Sequence, residues 1–132
     1  MKNEMSPILD ELVATFAADW LRLTEPDLAQ RLVADPILVL GPTGTVPVPK
    51  AAFLAAVTGR SDAVTAAEAD TTLVQADATA LGDRMVLATI SWEFTLGAGR
   101  TTLVSDFLLQ REPDGLRCVA YLPRTNVLDQ LR

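Results

Sequence analysis

RMVLATISWEFTLGAGRTTLVSDFLLQREPDGLRCVAYLPR, residues 84–124, decides the fold. Apolar and polar side chains alternate through it, and the alternation breaks only at Gly97-Ala98-Gly99 and Pro113-Asp114-Gly115. A period of two over runs of this length predicts strands, near 84–96, 100–112 and 115–124. Connections this short force antiparallel neighbours, so the stretch is a meander. A further alternating run near 70–80 joins it through Leu81-Gly82-Asp83.

Loop length sets which side chains share a face. With three-residue loops carrying Gly at the left-handed position, Leu96 and Arg100 flank one turn and Glu112 and Leu116 the other. Ile90 then stands opposite Asp106, and Asp106 opposite Leu122. One face collects Val86, Ala88, Ile90, Trp92 and Phe94, then Val104, Asp106 and Leu108, then Cys118, Ala120, Leu122 and Arg124. It is the more apolar face and is expected to meet the helices. The other carries Phe107, Leu109, Val119 and Tyr121, too apolar for free solvent, which predicts a homodimer through this outer face. Two registers stay open for the strand near 70–80: Val74, Ala76 and Ala78 favour the longer loop, and Leu73 the shorter.

Upstream the period is helical. Ser6-Pro7 reads as a helix start, with Ile8, Leu9, Leu12, Val13, Phe16 and Trp20 as an apolar stripe. Thr24 caps a second helix with Pro26 in its first turn, and Asp35-Pro36 stops it. Ile37-Leu38-Val39-Leu40 is a short strand, and Thr45-Val46 pairs back across the Gly41–Gly44 turn. Pro49 opens a third helix, with Phe53, Leu54 and Val57 inward and Gly59 as its stop.

The chain of 132 residues reads as one domain over 1–132, half of it hydrophobic. A net charge of −6 argues against nucleic acid and against an anionic membrane surface. The chain has no histidine, which removes Ser-His-Asp and Cys-His catalysis and the usual His-ligated metal sites; no metal or cofactor is expected. Cys118 is the only cysteine and reads as a small buried hydrophobe. The N-terminus lacks the apolar core of a signal peptide, so the cytoplasm is the expected location.

The chain resembles the nuclear transport factor 2-like superfamily, and within it the SnoaL-like and ketosteroid-isomerase-like bacterial proteins. The resemblance rests on Asp35-Pro36 followed by Ile37–Gly44, on Lys50-Ala51-Ala52-Phe53-Leu54, and on Ser105–Arg111 running through Asp114-Gly115 into Leu116–Val119. It implies an α+β, cystatin-like cone, with a curved antiparallel meander around the first helix and an apolar cavity at the open end. Members of that superfamily include isomerases, cyclases, dehydratases, binding proteins and inert dimerisation modules, so the fold alone does not choose the chemistry.

Asp106 is the sharpest oddity, a carboxylate expected on the apolar face. Arg124 is its natural partner. The pair reads either as a structural ion pair closing the cone, or as a cavity base with Arg124 steering a developing oxyanion. Phe16, Trp20 and Trp92 read either as cavity lining or as plain core. Two functions follow. One is a small-molecule pocket protein, taking an apolar carbonyl-bearing ligand and performing, at most, cofactor-free acid–base chemistry. The other is a non-catalytic dimerisation or interaction module whose cavity is filled by its own side chains. Cavity volume separates them, since a ligand site needs roughly 300 Å³ or more.

Overall fold

The computed structural model describes residues 2–41 and 44–124, without the side chains of 2–8. Helix α1 (Lys2–Trp20) leads into α2 (Pro26–Leu32), the hairpin β1 (Val33–Gly41) and β2 (Gly44–Val48), and α3 (Lys50–Ala66). Strands β3 (Asp70–Leu81), β4 (Met85–Leu96), β5 (Gly99–Glu112) and β6 (Gly115–Pro123) follow. All six strands form one sheet in the order β2-β1-β6-β5-β4-β3. Every pairing is antiparallel except β1 with β6, which is parallel.

Helix α1 begins upstream of Ser6, so Ser6 is not its cap; Pro7 lies inside the helix and has no N–H to give the ladder. Of its expected stripe, Leu9, Val13, Phe16 and Trp20 are buried and Leu12 is partly buried, while the Ile8 side chain lies outside the described residues; Ala17 is buried with them, and the helix lies across the sheet against β3 and β6. The N-cap of α2 is Glu25 rather than Thr24, and no side chain caps it. That helix ends at Leu32, before Asp35-Pro36, because Val33 is already paired with Cys118 of β6. Asp35 serves the next helix instead: its Oδ1 accepts the Lys50 N–H at 3.1 Å, satisfying one free donor at the start of α3. The expected turn residues Pro42 and Thr43 lie outside the described residues.

Helix α3 does not stop at Gly59. It continues to Ala66 because Phe53 and Val57 are buried and Val64 still packs on the core, which outweighs glycine's weak propensity. The end is a Schellman motif: the Glu68 N–H bonds the Thr65 carbonyl at 3.0 Å and the Ala69 N–H bonds that of Val64 at 3.1 Å. Glu68 occupies the left-handed position with φ 56°. A non-glycine residue there is strained, so Glu68→Gly is expected to raise unfolding stability by about 0.5–1 kcal/mol. Urea denaturation checks this; a loss of stability would contradict it.

Both hairpin loops are one residue shorter than expected. Leu96 pairs with Gly99 and Glu112 with Gly115, leaving Gly97-Ala98 and Pro113-Asp114 as two-residue turns. Gly97, at φ 60°, takes the first central position, where the primed hairpin turns need positive φ. Ile90 therefore faces Ser105, and Asp106 faces Thr89. The slip of one residue turns all of β5 over relative to β4. The face under the helices carries Val86, Ala88, Ile90, Trp92 and Phe94 as expected, but then Leu103, Ser105, Phe107 and Leu109.

Two bulges complete the register of the meander, apart from a further shift between Val33 and Leu38 on the β1–β6 ladder. One between Leu108 and Leu109 on the β5–β6 ladder leaves Val119 unpaired, so Asp106 still stands opposite Leu122, as read from the sequence. Beyond it, Tyr121 turns inward and is buried. The other lies between Leu73 and Gln75 and leaves Val74 as the extra residue, 62% exposed. It lets Leu73 stand opposite Trp92, though 37% exposed, while Ala76 and Ala78 face Ile90 and Ala88 as the longer loop predicted; Val74, expected with them, is the exposed exception. Among the described residues, no helix is long and apolar enough to cross a membrane.

Candidate functional site

Five rings meet where α1, α3, β5 and β6 converge. Trp20 is the hub, with ring centroids 5.4 Å from Phe16, 5.9 Å from Phe53, 4.9 Å from Phe107 and 5.5 Å from Tyr121. Phe107 and Tyr121 are 5.2 Å apart. Such tilted and edge-on contacts suit the ring quadrupoles.

Beside this cluster opens a cavity of about 550 Å³. Trp20, Phe53, Val57, Trp92, Leu103 and Tyr121 form apolar parts of its wall. Its polar lining residues are Thr24, Arg60, Ser61, Thr65, Asp70, Thr71, Ser105 and Tyr121. Arg60 is the only Lys or Arg among the lining residues, and Asp70, at the start of β3, is the only carboxylate. The Arg60 Nη1 donates to the Tyr121 Oη at 3.5 Å, a long bond between partly buried groups. Ser105 is buried at 5% exposure on the same wall. No cluster of three metal-ligating side chains occurs among the described residues.

Trp20 and Trp92 line this cavity. Phe16 does not; it packs behind Trp20 and borders a smaller cavity of about 240 Å³ beside Glu11, Asp19 and Arg31. Asp106 and Arg124 pair as expected, but outside the cavity: the reversed β5 register places them on the opposite face of the sheet. The Arg124 Nε donates to the Asp106 Oδ2 at 2.6 Å, and the Thr89 Oγ1 donates to Oδ1, also at 2.6 Å. The Asp106 side chain is 13% exposed and that of Arg124 56%. Both carboxylate oxygens thus have partners, and neither reaches the cavity. Asp106→Asn is expected to cost about 1 kcal/mol of stability and to leave ligand affinity in the cavity unchanged; calorimetric titration checks the second half.

Phe107, Leu109 and Tyr121, the residues that suggested an outer dimer patch, are buried inside. Cys118 is buried as expected. Its Sγ donates to the Ala120 carbonyl at 3.3 Å, and burial pushes its thiol far above the ordinary range, leaving it an inert hydrophobe. Arg60, Ser105 and Tyr121 are the cavity residues that sequence reasoning missed. The signal for one of them was present: Leu103, Phe107 and Leu109 form a more apolar set than Val104, Asp106 and Leu108, and that set carries Ser105 inward with it.

No protein-family model matches the chain, and no curated protein matches it. Solved structures do. An NTF2-like protein with a cystatin-like fold from Novosphingobium aromaticivorans is 18% identical over 93% of this chain and 85% of its own, with a TM-score of 0.59. A provisionally assigned ketosteroid isomerase from Shewanella frigidimarina is 11% identical over 85% of this chain and 90% of its own, at 0.63. A provisionally assigned dehydratase of the NTF2-like family from Streptomyces avermitilis is 14% identical over 91% of this chain and all (100%) of its own, at 0.61. The chain has the nuclear transport factor 2-like, cystatin-like fold. At these identities the likeness carries the fold and no activity.

Proposed function

We propose that this chain binds a small apolar ligand, ring- or carbonyl-bearing, in the cavity beside Trp20 and Trp92. The observation that carries the reading is volume with polarity: about 550 Å³, well above what a self-filled module leaves, with a few hydroxyls and one guanidinium among aromatic walls. Neighbours named for isomerase and dehydratase chemistry keep turnover in view. Binding without turnover is favoured here. Proton abstraction next to a carbonyl needs a base within reach of the substrate. The chain has no histidine, Asp106 lies on the far face, and the lining carboxylate Asp70 is exposed.

Both tryptophans of the chain line the cavity, so ligand entry reports itself in intrinsic fluorescence. Titration with 1-adamantanol, a compact neutral probe, is expected to change that fluorescence and to give a saturable heat. Val57→Trp, which drives an indole into the cavity, is expected to weaken binding at least tenfold in calorimetry. Absence of binding by 1-adamantanol and by the larger neutral dye Nile red would end the reading.

The homodimer belongs to the same proposal, on other residues than those first expected. Val104, Leu108 and Leu122 are only partly buried on the outer face, beside Leu87 at 42% exposure. A second copy seated there by two-fold symmetry would cover them. Sedimentation across micromolar concentrations tests it, and a clean monomer removes it.

A further inference from the structure

Among the described residues the one cation lining the cavity, Arg60, makes no ion pair. Arg60 stands on the last two turns of α3, facing Tyr121 across the cavity wall, and is partly buried. Among the described residues no carboxylate lies within salt-bridge distance of it. A guanidinium has five N–H donors in a planar fork, and the long bond to the Tyr121 Oη engages one of them. Among the described residues no side-chain nitrogen or oxygen is buried without a partner, so water reaches the other Arg60 donors, and a ligand that displaces that water from beside Trp20 and Tyr121 has to supply acceptors in its place. Asp70 lines the same cavity but is exposed at the start of β3 and does not pair with Arg60. The Tyr121 phenol lines the same cavity, its ring tilted against those of Trp20 and Phe107, and a phenol can donate as well as accept.

We infer that the ligand of this cavity is an amphipathic organic acid, its carboxylate held by Arg60 and the Tyr121 hydroxyl and its apolar body lying against Trp20 and Trp92. The inference rests on the binding reading above and narrows it to an anion. Arg suits this role through bidentate geometry, which a neutral carbonyl engages only in part. The surroundings strengthen the preference. A fully exposed arginine distinguishes an acid from an alcohol weakly, and the partial burial of Arg60 beside apolar walls strengthens the charge-assisted bond relative to that.

The test is a matched pair, adamantane-1-carboxylate and 1-adamantanol, titrated calorimetrically at pH 7 into the full chain, into Arg60→Gln and into Arg60→Lys. The carboxylate is expected to bind the wild type at least about tenfold tighter than the alcohol. In Arg60→Gln that preference disappears, and a far-ultraviolet circular dichroism spectrum matching the wild type shows that the variant is folded. Arg60→Lys keeps part of the preference, since it retains charge but loses the fork. An alcohol that binds as tightly as the acid to the wild type overturns this inference and leaves the pocket reading standing. A preference that survives in Arg60→Gln overturns the assignment to Arg60. Failure of both probes to bind overturns this inference, and if Nile red also fails the pocket reading falls with it.

Discussion

Phe107→Asp is expected to abolish folding, while Leu108→Asp leaves a folded chain. Phe107 has no solvent exposure and touches Phe16, Trp20 and Tyr121 with ring centroids within 5.4 Å. An unpaired carboxylate there has no partner and no water, a cost of several kcal/mol, and the lost rings add to it. The milder Phe107→Ala removes about 3–5 kcal/mol, much of the ~5–15 kcal/mol that holds a domain together. Leu108, one residue on, pairs with Leu87 and Ala120 on the outer face and is partly exposed. Leu108→Ala should cost about 1 kcal/mol or less. Far-ultraviolet circular dichroism and urea midpoints of the four variants decide between registers. The reverse ranking would restore the three-residue loops and return Asp106 to the helix side of the sheet.

Trp20→Ala carries the second large effect. The indole joins α1 to Phe53 of α3, Phe107 of β5 and Tyr121 of β6. It is 5% exposed and also forms cavity wall. Its removal is expected to cost about 3–5 kcal/mol, a fall in melting temperature of roughly 10–20 °C for a chain of this size. The new void joins the cavity, so 1-adamantanol should bind several-fold more weakly as its wall recedes. Trp20→Phe, which keeps a ring in the cluster, should recover most of the stability. A loss below about 1 kcal/mol for the alanine variant would mean that the ring borders the cavity without holding the elements together.

The meander, the sheet-facing stripe of α1 and the pairing back of Thr45-Val46 were all legible, because each rests on period and on loops too short to allow anything else. Register was not. Gly97-Ala98-Gly99 offers two residues that accept positive φ, so its chemistry permits a two- or a three-residue turn. The tie had to be broken by burying Phe107 and Leu109 rather than Asp106, and a charge among apolar neighbours was the warning. The bulges at Val74 and Val119 leave no mark in composition, since valine fits either state. Arg60 was lost for another reason. Taking Gly59 as a helix stop placed Arg60 in a loop, whereas tertiary packing at Val64 overrode the glycine and carried Arg60 along the cavity wall. The Asp106–Arg124 pair was found correctly and put on the wrong side, as a one-residue slip must do.

The parallel junction of β1 with β6 sets an order on biogenesis. The first 48 residues supply α1, α2 and the β1–β2 hairpin, but that hairpin has its other neighbour in the last strand described. A nascent chain therefore exposes the free edge of β1 on the ribosome until residues 115–123 have emerged, and contacts so far apart in sequence slow closure. Early termination anywhere before Gly115 would release a chain whose two sheet fragments cannot meet, with Ile37 and the ring cluster open to aggregation.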